Sequence, residues 1–95
     1  MPKAYVIGHV TVTDPETYQQ YGKLAEAALK LYGGRFLARG GRSNQVEGKG
    51  RRRNVILEFE SYKTALEYYY SPEYQAAAKI RMECGECDMV VVEGI

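Results

Sequence analysis

The fold follows from a segment in the middle of the chain, Asn54-Val55-Ile56-Leu57-Glu58-Phe59-Glu60. Alternate residues of a β-strand point to opposite faces of its sheet. Val55, Leu57 and Phe59 therefore form a wholly apolar face, whereas Ile56 shares the other face with polar residues. This alternation predicts a strand with one face covered by helices and a different environment on the other.

A strand and a helix are predicted before this segment. Residues 3–12 are rich in β-branched residues and lack a helical period, which favours a strand. Asp14-Pro15-Glu16 then combines a capping side chain, a proline suited to the first helical turn and an acid that favours the positive end of the helix dipole. Gly33-Gly34 marks the expected end of this helix.

The other segments complete the order of elements. Residues 35–39 alternate as a second strand, and the polar stretch after them is predicted to form a hairpin. A second helix is expected after Ser61, with an interruption at Ser71-Pro72, and Asp88–Ile95 is the expected last strand. The order β-α-β-β-α-β predicts one α+β, ferredoxin-like domain over residues 1–95, with a four-stranded antiparallel sheet and both long helices on one face.

The sheet face away from the helices is predicted to be neither plainly polar nor plainly apolar. Strand parity places on it Tyr5, Ile7, His9, Leu37, Arg39, Ile56 and Glu58. Such a mixture is typical of a dimer interface or of a lined cavity, and a homodimer through this face is expected. Arg39 and Glu58, on neighbouring antiparallel strands, are expected to meet as a cross-strand ion pair.

Composition argues against several classes of function. The 95 residues carry 13 basic and 12 acidic side chains, whereas nucleic-acid-binding domains usually have a strong basic excess. No apolar run approaches the roughly 18 residues of a membrane-spanning helix. The first apolar run is also too short for a signal peptide. We therefore expect no nucleic-acid partner, no membrane partner and a cytoplasmic location.

Few residues combine into a recognisable catalytic or metal-binding pattern. His9, the single histidine, and Glu58 are candidates for proton transfer, and the alternative for both is a structural role. Cys84 and Cys87 have the spacing of a redox pair, but Cys84 is predicted at a helix C-terminus, where the dipole opposes thiolate formation. No metal or other cofactor is expected. The basic run Arg51-Arg52-Arg53 fits either phosphate binding or a solubilising turn.

Arg39 is the leading candidate for ligand binding. Its planar guanidinium suits a carboxylate, and Gly40-Gly41 beside it leaves room for a ligand. Aromatic walls are expected from four of the nine tyrosines, namely Tyr5, Tyr18, Tyr21 and Tyr69. The last three of these are predicted on the helix side of the sheet, opposite Arg39, so that one compact pocket cannot easily include both groups. The alternatives are that the tyrosines pack the core and that Arg39 braces the sheet.

Several segments point to a known family. They are Ala4-Tyr5-Val6-Ile7, Asp14-Pro15 with Tyr18 and Tyr21, Gly33-Gly34-Arg35-Phe36-Leu37-Ala38-Arg39-Gly40-Gly41, Glu58-Phe59, Ser71-Pro72-Glu73-Tyr74-Gln75 and Val92-Glu93-Gly94. On these segments the chain resembles the DUF1330 family of small bacterial proteins nearly end to end. The resemblance implies a ferredoxin-like domain of the dimeric α+β barrel type. The cysteine pair and the basic run are not matched to the usual pattern of that family.

Two functional classes follow from these observations. One is an uncharacterised homodimer that binds a small organic molecule without catalysis. The other is a cofactor-free enzyme, because the superfamily implied by the resemblance includes monooxygenases and isomerases as well as haem-degrading and non-catalytic proteins. The two classes differ in whether a cavity contains a titratable group with a perturbed pKa.

Overall fold

The computed structural model describes residues 2–95 and confirms the predicted α+β architecture. Its elements, in chain order, are β1 (Ala4–Val12), α1 (Pro15–Leu31), β2 (Arg35–Arg39), β3 (Arg53–Phe59), α2 (Tyr62–Tyr70), α3 (Pro72–Cys84) and β4 (Gly85–Glu93). The sheet is antiparallel with the order β2-β3-β1-β4. No helix within residues 2–95 is long and apolar enough to cross a membrane.

All three helices pack on one face of the sheet, as the alternation in β3 predicts. Leu57 and Phe59 are buried there together with Ala4 and Val6 of β1. The helices contribute the buried residues Tyr21, Ala25, Ala28, Leu29, Ala65, Tyr68, Tyr74, Ala77 and Ala78. Small alanines let the helices approach closely, and the space between them is filled by tyrosine rings.

The predicted break in the second helical region is a double cap at Ser71. Its Oγ accepts a hydrogen bond from the backbone N–H of Tyr74 (3.1 Å) and donates one to the backbone carbonyl of Tyr68 (2.7 Å). One buried side chain thus ends α2 and begins α3, with Pro72 in the first turn of α3.

The last strand begins three residues before the predicted Asp88. The chain passes directly from Cys84 at the end of α3 into an extended Gly85. A Cβ on Gly85 would lie 2.5 Å from the backbone oxygen of Thr11, so a glycine is needed for β4 to start alongside the end of β1.

A β-bulge in β2 places Arg39 on the sheet face opposite to the predicted one. Arg35 is opposite Glu58, but the pairing then skips Leu37, so that Arg39 is opposite Val55. The extra residue shifts the alternation, and Arg39 emerges on the helix side of the sheet. The expected Arg39–Glu58 ion pair is therefore wrong: Glu58 pairs with Arg35 instead, at 2.7 Å.

Candidate functional site

The candidate site is a pocket between the sheet and the helices. It has a volume of about 50 Å³, room for a few water molecules or a compact ligand group. Its floor is the helix-facing side of the sheet, and its walls include tyrosines from α1, α2 and α3. The side chains that matter most below are Tyr18, Tyr21, Arg39, Arg53, Tyr74 and Met89.

The bulge brings Arg39 into the same pocket as Tyr18 and Tyr21. These three predicted site residues all line the cavity, although strand parity had placed Arg39 on the opposite side. The Arg39 guanidinium lies 4.2 Å from the centre of the Phe36 ring and forms an ion pair with Glu26 of α1. The Arg39 guanidinium therefore already has an acidic partner.

The predicted walls Tyr5 and Tyr69 lie elsewhere. Tyr5 belongs to the outer face of the sheet, the face away from the helices, where it is opposite Glu58 and Val92. Tyr69 packs beside Tyr74, with ring centres 5.4 Å apart, but does not line the pocket. Tyr68 is the α2 residue that reaches the pocket, one position before the predicted one.

Arg53 is the pocket residue that the sequence interpretation missed. Its Nε is buried and has no hydrogen-bond partner within residues 2–95. Its guanidinium carbon lies 5.3 Å from the centre of the Tyr18 ring. The sequence does predict the direction of this side chain, because Arg53 alternates with Val55, Leu57 and Phe59 and must point towards the helices. Arg53 was instead interpreted only as part of the basic run Arg51-Arg52-Arg53.

A hydroxyl pair held by a buried arginine forms the polar end of the tyrosine wall. The hydroxyl oxygens of Tyr21 and Tyr74 are 2.9 Å apart, and Arg81 Nη1 donates to the Tyr74 oxygen at 2.6 Å. Arg81 is only 7% exposed, and no carboxylate within the described residues approaches it to 4.0 Å. Its positive charge is therefore not neutralised by an acidic side chain.

The hydroxyls of Tyr18, Tyr68 and Tyr74 act as donors and not as bases. Burial raises the pKa of Tyr74 and of Tyr68 far above their usual range, and it also raises the pKa of Tyr18, where the Arg53 charge opposes the effect. None of the residues that line the pocket carries a carboxylate or an imidazole. The cavity thus presents positive charge and O–H groups but no evident proton acceptor.

His9 and Glu58, the candidates for proton transfer, lie on the outer face. His9 Nδ1 is 2.5 Å from Asn54 Oδ1. The Glu58 carboxylate accepts a hydrogen bond from Arg35 Nε at 2.7 Å and a weaker one from Lys3 at 3.5 Å. The Arg35 bond is the main cause that holds the pKa of Glu58 below its usual value. The sheet separates both residues from the pocket.

Glu58 should make stability depend on pH in the acidic range. Because its folded pKa is lowered, its contribution to stability is present above the unfolded pKa and is lost as pH falls through the folded pKa. Glu58→Gln should therefore reduce the fall in the free energy of unfolding between pH 6 and pH 3. Urea titrations at several pH values measure this, with the exposed Glu67→Gln as the control. A fall as steep as in the wild type would show that the Arg35–Glu58 contact does not stabilise the fold.

The basic run divides into three different environments. Arg51 bonds Asp88 and Glu86, each at 3.0 Å, and closes one end of an open cavity of about 410 Å³ on the outer face beside His9. Arg52 is exposed, and Arg53 enters the pocket on the other side of the sheet. Neither a shared phosphate site nor a simple solubilising turn describes all three.

The two cysteines do not form a compact pair. Cys84 is buried at the end of α3, and the chain is extended from there to Cys87, which separates their Cα atoms by about 10 Å. A disulfide needs less than about 7 Å. Burial is the main cause that raises the pKa of both thiols. Cys87 is opposite Val10 on the helix side, so the sheet separates it from His9. Within residues 2–95 there is no group of three potential metal ligands.

Comparison with known proteins identifies the family. A model described as "Domain of unknown function (DUF1330)" matches residues 3–95. The chain belongs to the DUF1330 family. No curated protein matches this DUF1330 domain.

Solved structures share the fold of the DUF1330 domain at low sequence identity. A protein of unknown function from Rhodopseudomonas palustris has a TM-score of 0.77 and 16% identity over 99% of this chain and 83% of its own. SnoaB, a cofactor-independent oxygenase from Streptomyces nogalater, has a TM-score of 0.68 and 8% identity over 100% and 95% of the two chains. A dimeric protein of unknown function with a ferredoxin-like fold from Bacteroides fragilis has a TM-score of 0.63 and 21% identity over 97% and 96%.

Proposed function

We propose that this DUF1330 protein is a homodimer that binds a small organic molecule in the pocket between its sheet and its helices. The observation that carries the proposal is the convergence of Arg39, Arg53 and the tyrosines Tyr18, Tyr21 and Tyr74 on one cavity. Binding sites typically combine an apolar, aromatic lining with a few convergent polar groups. A cavity needed only for packing would not require two guanidinium groups.

The same lining favours binding over acid–base catalysis. An enzyme that abstracts a proton needs a base within hydrogen-bond reach of its substrate. The pocket has no carboxylate or imidazole among its lining residues, and burial keeps the phenols of Tyr68 and Tyr74 protonated by raising their pKa. The alternative is a cofactor-free enzyme, monooxygenase- or isomerase-like, in which the substrate supplies the reactive group. Oxygen consumption or substrate turnover with a bound ligand would favour it.

Exposed apolar residues on the outer face of the sheet support the proposed dimer. Ile7 lies between Ile56 on β3 and Val90 on β4, and this apolar row is only partly buried within residues 2–95. Val90 is 51% exposed and Leu37, the bulge residue, 48%. A contiguous apolar patch on a small domain is typical of an interface. The dimeric description of the related fold from Bacteroides fragilis agrees with this proposal.

We place the dimer in the cytoplasm. Disulfides form in oxidising compartments, and the two cysteines are free and too far apart to bridge. The chain therefore lacks the disulfide framework that is typical of small secreted domains.

A thermal-shift screen of small organic molecules tests the binding proposal. Gly22 of α1 lines the pocket, and a Cβ there would have no atom within 4 Å, so Gly22→Leu should fill the cavity without disturbing the backbone. Ligands should raise the Tm of the wild type and of the exposed control Ala27→Leu, but not that of Gly22→Leu. Equal stabilisation of Gly22→Leu would place binding outside the pocket and contradict the proposal.

A further inference from the structure

The Arg53 side chain has an unmet hydrogen-bonding requirement. Its Nε–H is buried without an acceptor, Arg53 lines the pocket, and no carboxylate within residues 2–95 lies within 4.0 Å of its guanidinium. Buried donors in native proteins are nearly always paired, because an unpaired one forfeits the bond that it made to water. An acceptor that enters the pocket would pair with this guanidinium.

The fold holds Arg53 in place without neutralising it. A Cβ on Gly40 would lie 2.8 Å from the Arg53 guanidinium carbon, so the guanidinium packs directly against the glycine backbone. The Tyr18 ring lies at 5.3 Å, a cation–π distance. Contacts with a glycine and an aromatic ring restrict the rotamer of Arg53 but provide no counter-charge.

The other polar groups of the pocket also favour negative charge. Because Arg81 donates to the Tyr74 oxygen, the Tyr74 hydrogen points elsewhere, to Tyr21 or to the Met89 sulfur at 3.8 Å. When Tyr74 donates to Tyr21, the Tyr21 hydrogen becomes free for a third acceptor. Arg39, in contrast, is already neutralised by Glu26. Arg53 is therefore the better anchor for an anion.

We propose that the ligand is a compact organic monocarboxylate, with one carboxylate oxygen accepting a hydrogen bond from the Arg53 guanidinium. This inference rests on the proposed binding function of the pocket. The apolar part of the ligand would lie against Phe36, Val55 and Met89, which line the same cavity. Of the two arginines that line the pocket, only Arg53 lacks an acidic partner, and a single carboxylate matches its charge, whereas a phosphate dianion would bring more charge than Arg53 compensates.

Nitrogen-15 NMR on the full protein tests the class of ligand. The probes are butyrate and benzoate, each compared with its neutral amide, and inorganic phosphate. Addition of a carboxylate should shift the Arg53 Nε–H signal, which Arg53→Lys identifies by its loss. Arg53→Met should weaken carboxylate binding at least tenfold. Arg52→Met, which removes the exposed neighbouring charge, should leave it unchanged.

The outcomes separate the carboxylate proposal from the pocket proposal. Equal affinity for a carboxylate and its amide, with both binding events abolished by Gly22→Leu, would overturn the proposal that the ligand is a carboxylate. The pocket would then still be the binding site. Phosphate binding more tightly than both carboxylates at Arg53 would overturn the carboxylate proposal as well. If no probe shifts any pocket signal, the carboxylate proposal fails, and the ligand screen then decides the pocket separately. Should Arg53→Met fail to fold, the Nε–H shift in the wild type gives the same decision.

Discussion

Gly34→Ala is expected to destabilise the protein by about 1–3 kcal/mol, because the new methyl group overpacks the core. Gly34 lies between α1 and β2, and its Cβ would be 2.6 Å from Phe59 Cε1 and closer still to Leu29 Cδ1. Leu29 and Phe59 are 2% and 1% exposed, so neither side chain can move into solvent. The Gly33-Gly34-Arg35-Phe36-Leu37 segment thus needs its second glycine for the approach of α1 to the sheet.

Gly22→Ala provides a matched control, which is expected to increase the free energy of unfolding instead of reducing it. Gly22 is inside α1, where alanine is favoured over glycine by roughly 0.5–1 kcal/mol, and its Cβ would meet no atom within 4 Å. Urea titrations of both variants at one protein concentration should give free energies of unfolding on opposite sides of the wild type. A neutral Gly34→Ala would show that helix α1 packs less closely on Phe59 than the structure indicates.

Ile7→Lys is expected to convert the protein from a dimer to a monomer. Ile7 is central in the apolar row of the outer face, so the lysine would be buried in the dimer without a partner. In the monomer the same side chain would reach solvent, and the fold should be retained. Sedimentation velocity at micromolar concentration should give about twice 10.7 kDa for the wild type and 10.7 kDa for the variant.

Leu24→Lys controls for the effect of a new charge. Leu24 is 43% exposed on α1, on the other side of the molecule from the outer face, and its replacement should leave the dimer intact. A monomeric wild type, or a dimeric Ile7→Lys, would contradict an interface through this face.

The alternation in β3 was sufficient to predict the sheet and the side on which the helices pack. The capping residue Asp14 likewise predicted the start of α1, and Pro72 predicted the break at Ser71, because both effects are local in the sequence. The bulge at Leu37 was not predictable, since Phe36, Leu37 and Ala38 are all apolar and fit either face. One inserted residue therefore moved Arg39 across the sheet.

The remaining site residues depend on tertiary packing. Tyr69 was predicted as a pocket wall, but Tyr68 is the α2 tyrosine that is buried and lines the pocket. Tyr74 and Arg81 are seven residues apart, two helical turns, and therefore share a face of α3. Their interaction with Tyr21 depends on how α3 packs against α1, which spacing within one helix does not specify.

The central claim is that a ligand occupies the pocket, and methionine-methyl NMR tests it most directly. Met89 lines the pocket, whereas Met82 is 65% exposed on α3 and does not, so the protein contains its own control. Protein labelled with carbon-13 at the methionine methyl groups is titrated with the compounds that raise its Tm, with benzoate as the reference probe. We expect bound compounds to shift the Met89 methyl signal and to leave the Met82 signal in place, and we expect Gly22→Leu to abolish the shift. Binding that leaves Met89 unchanged, or that shifts Met82 instead, would contradict the central claim.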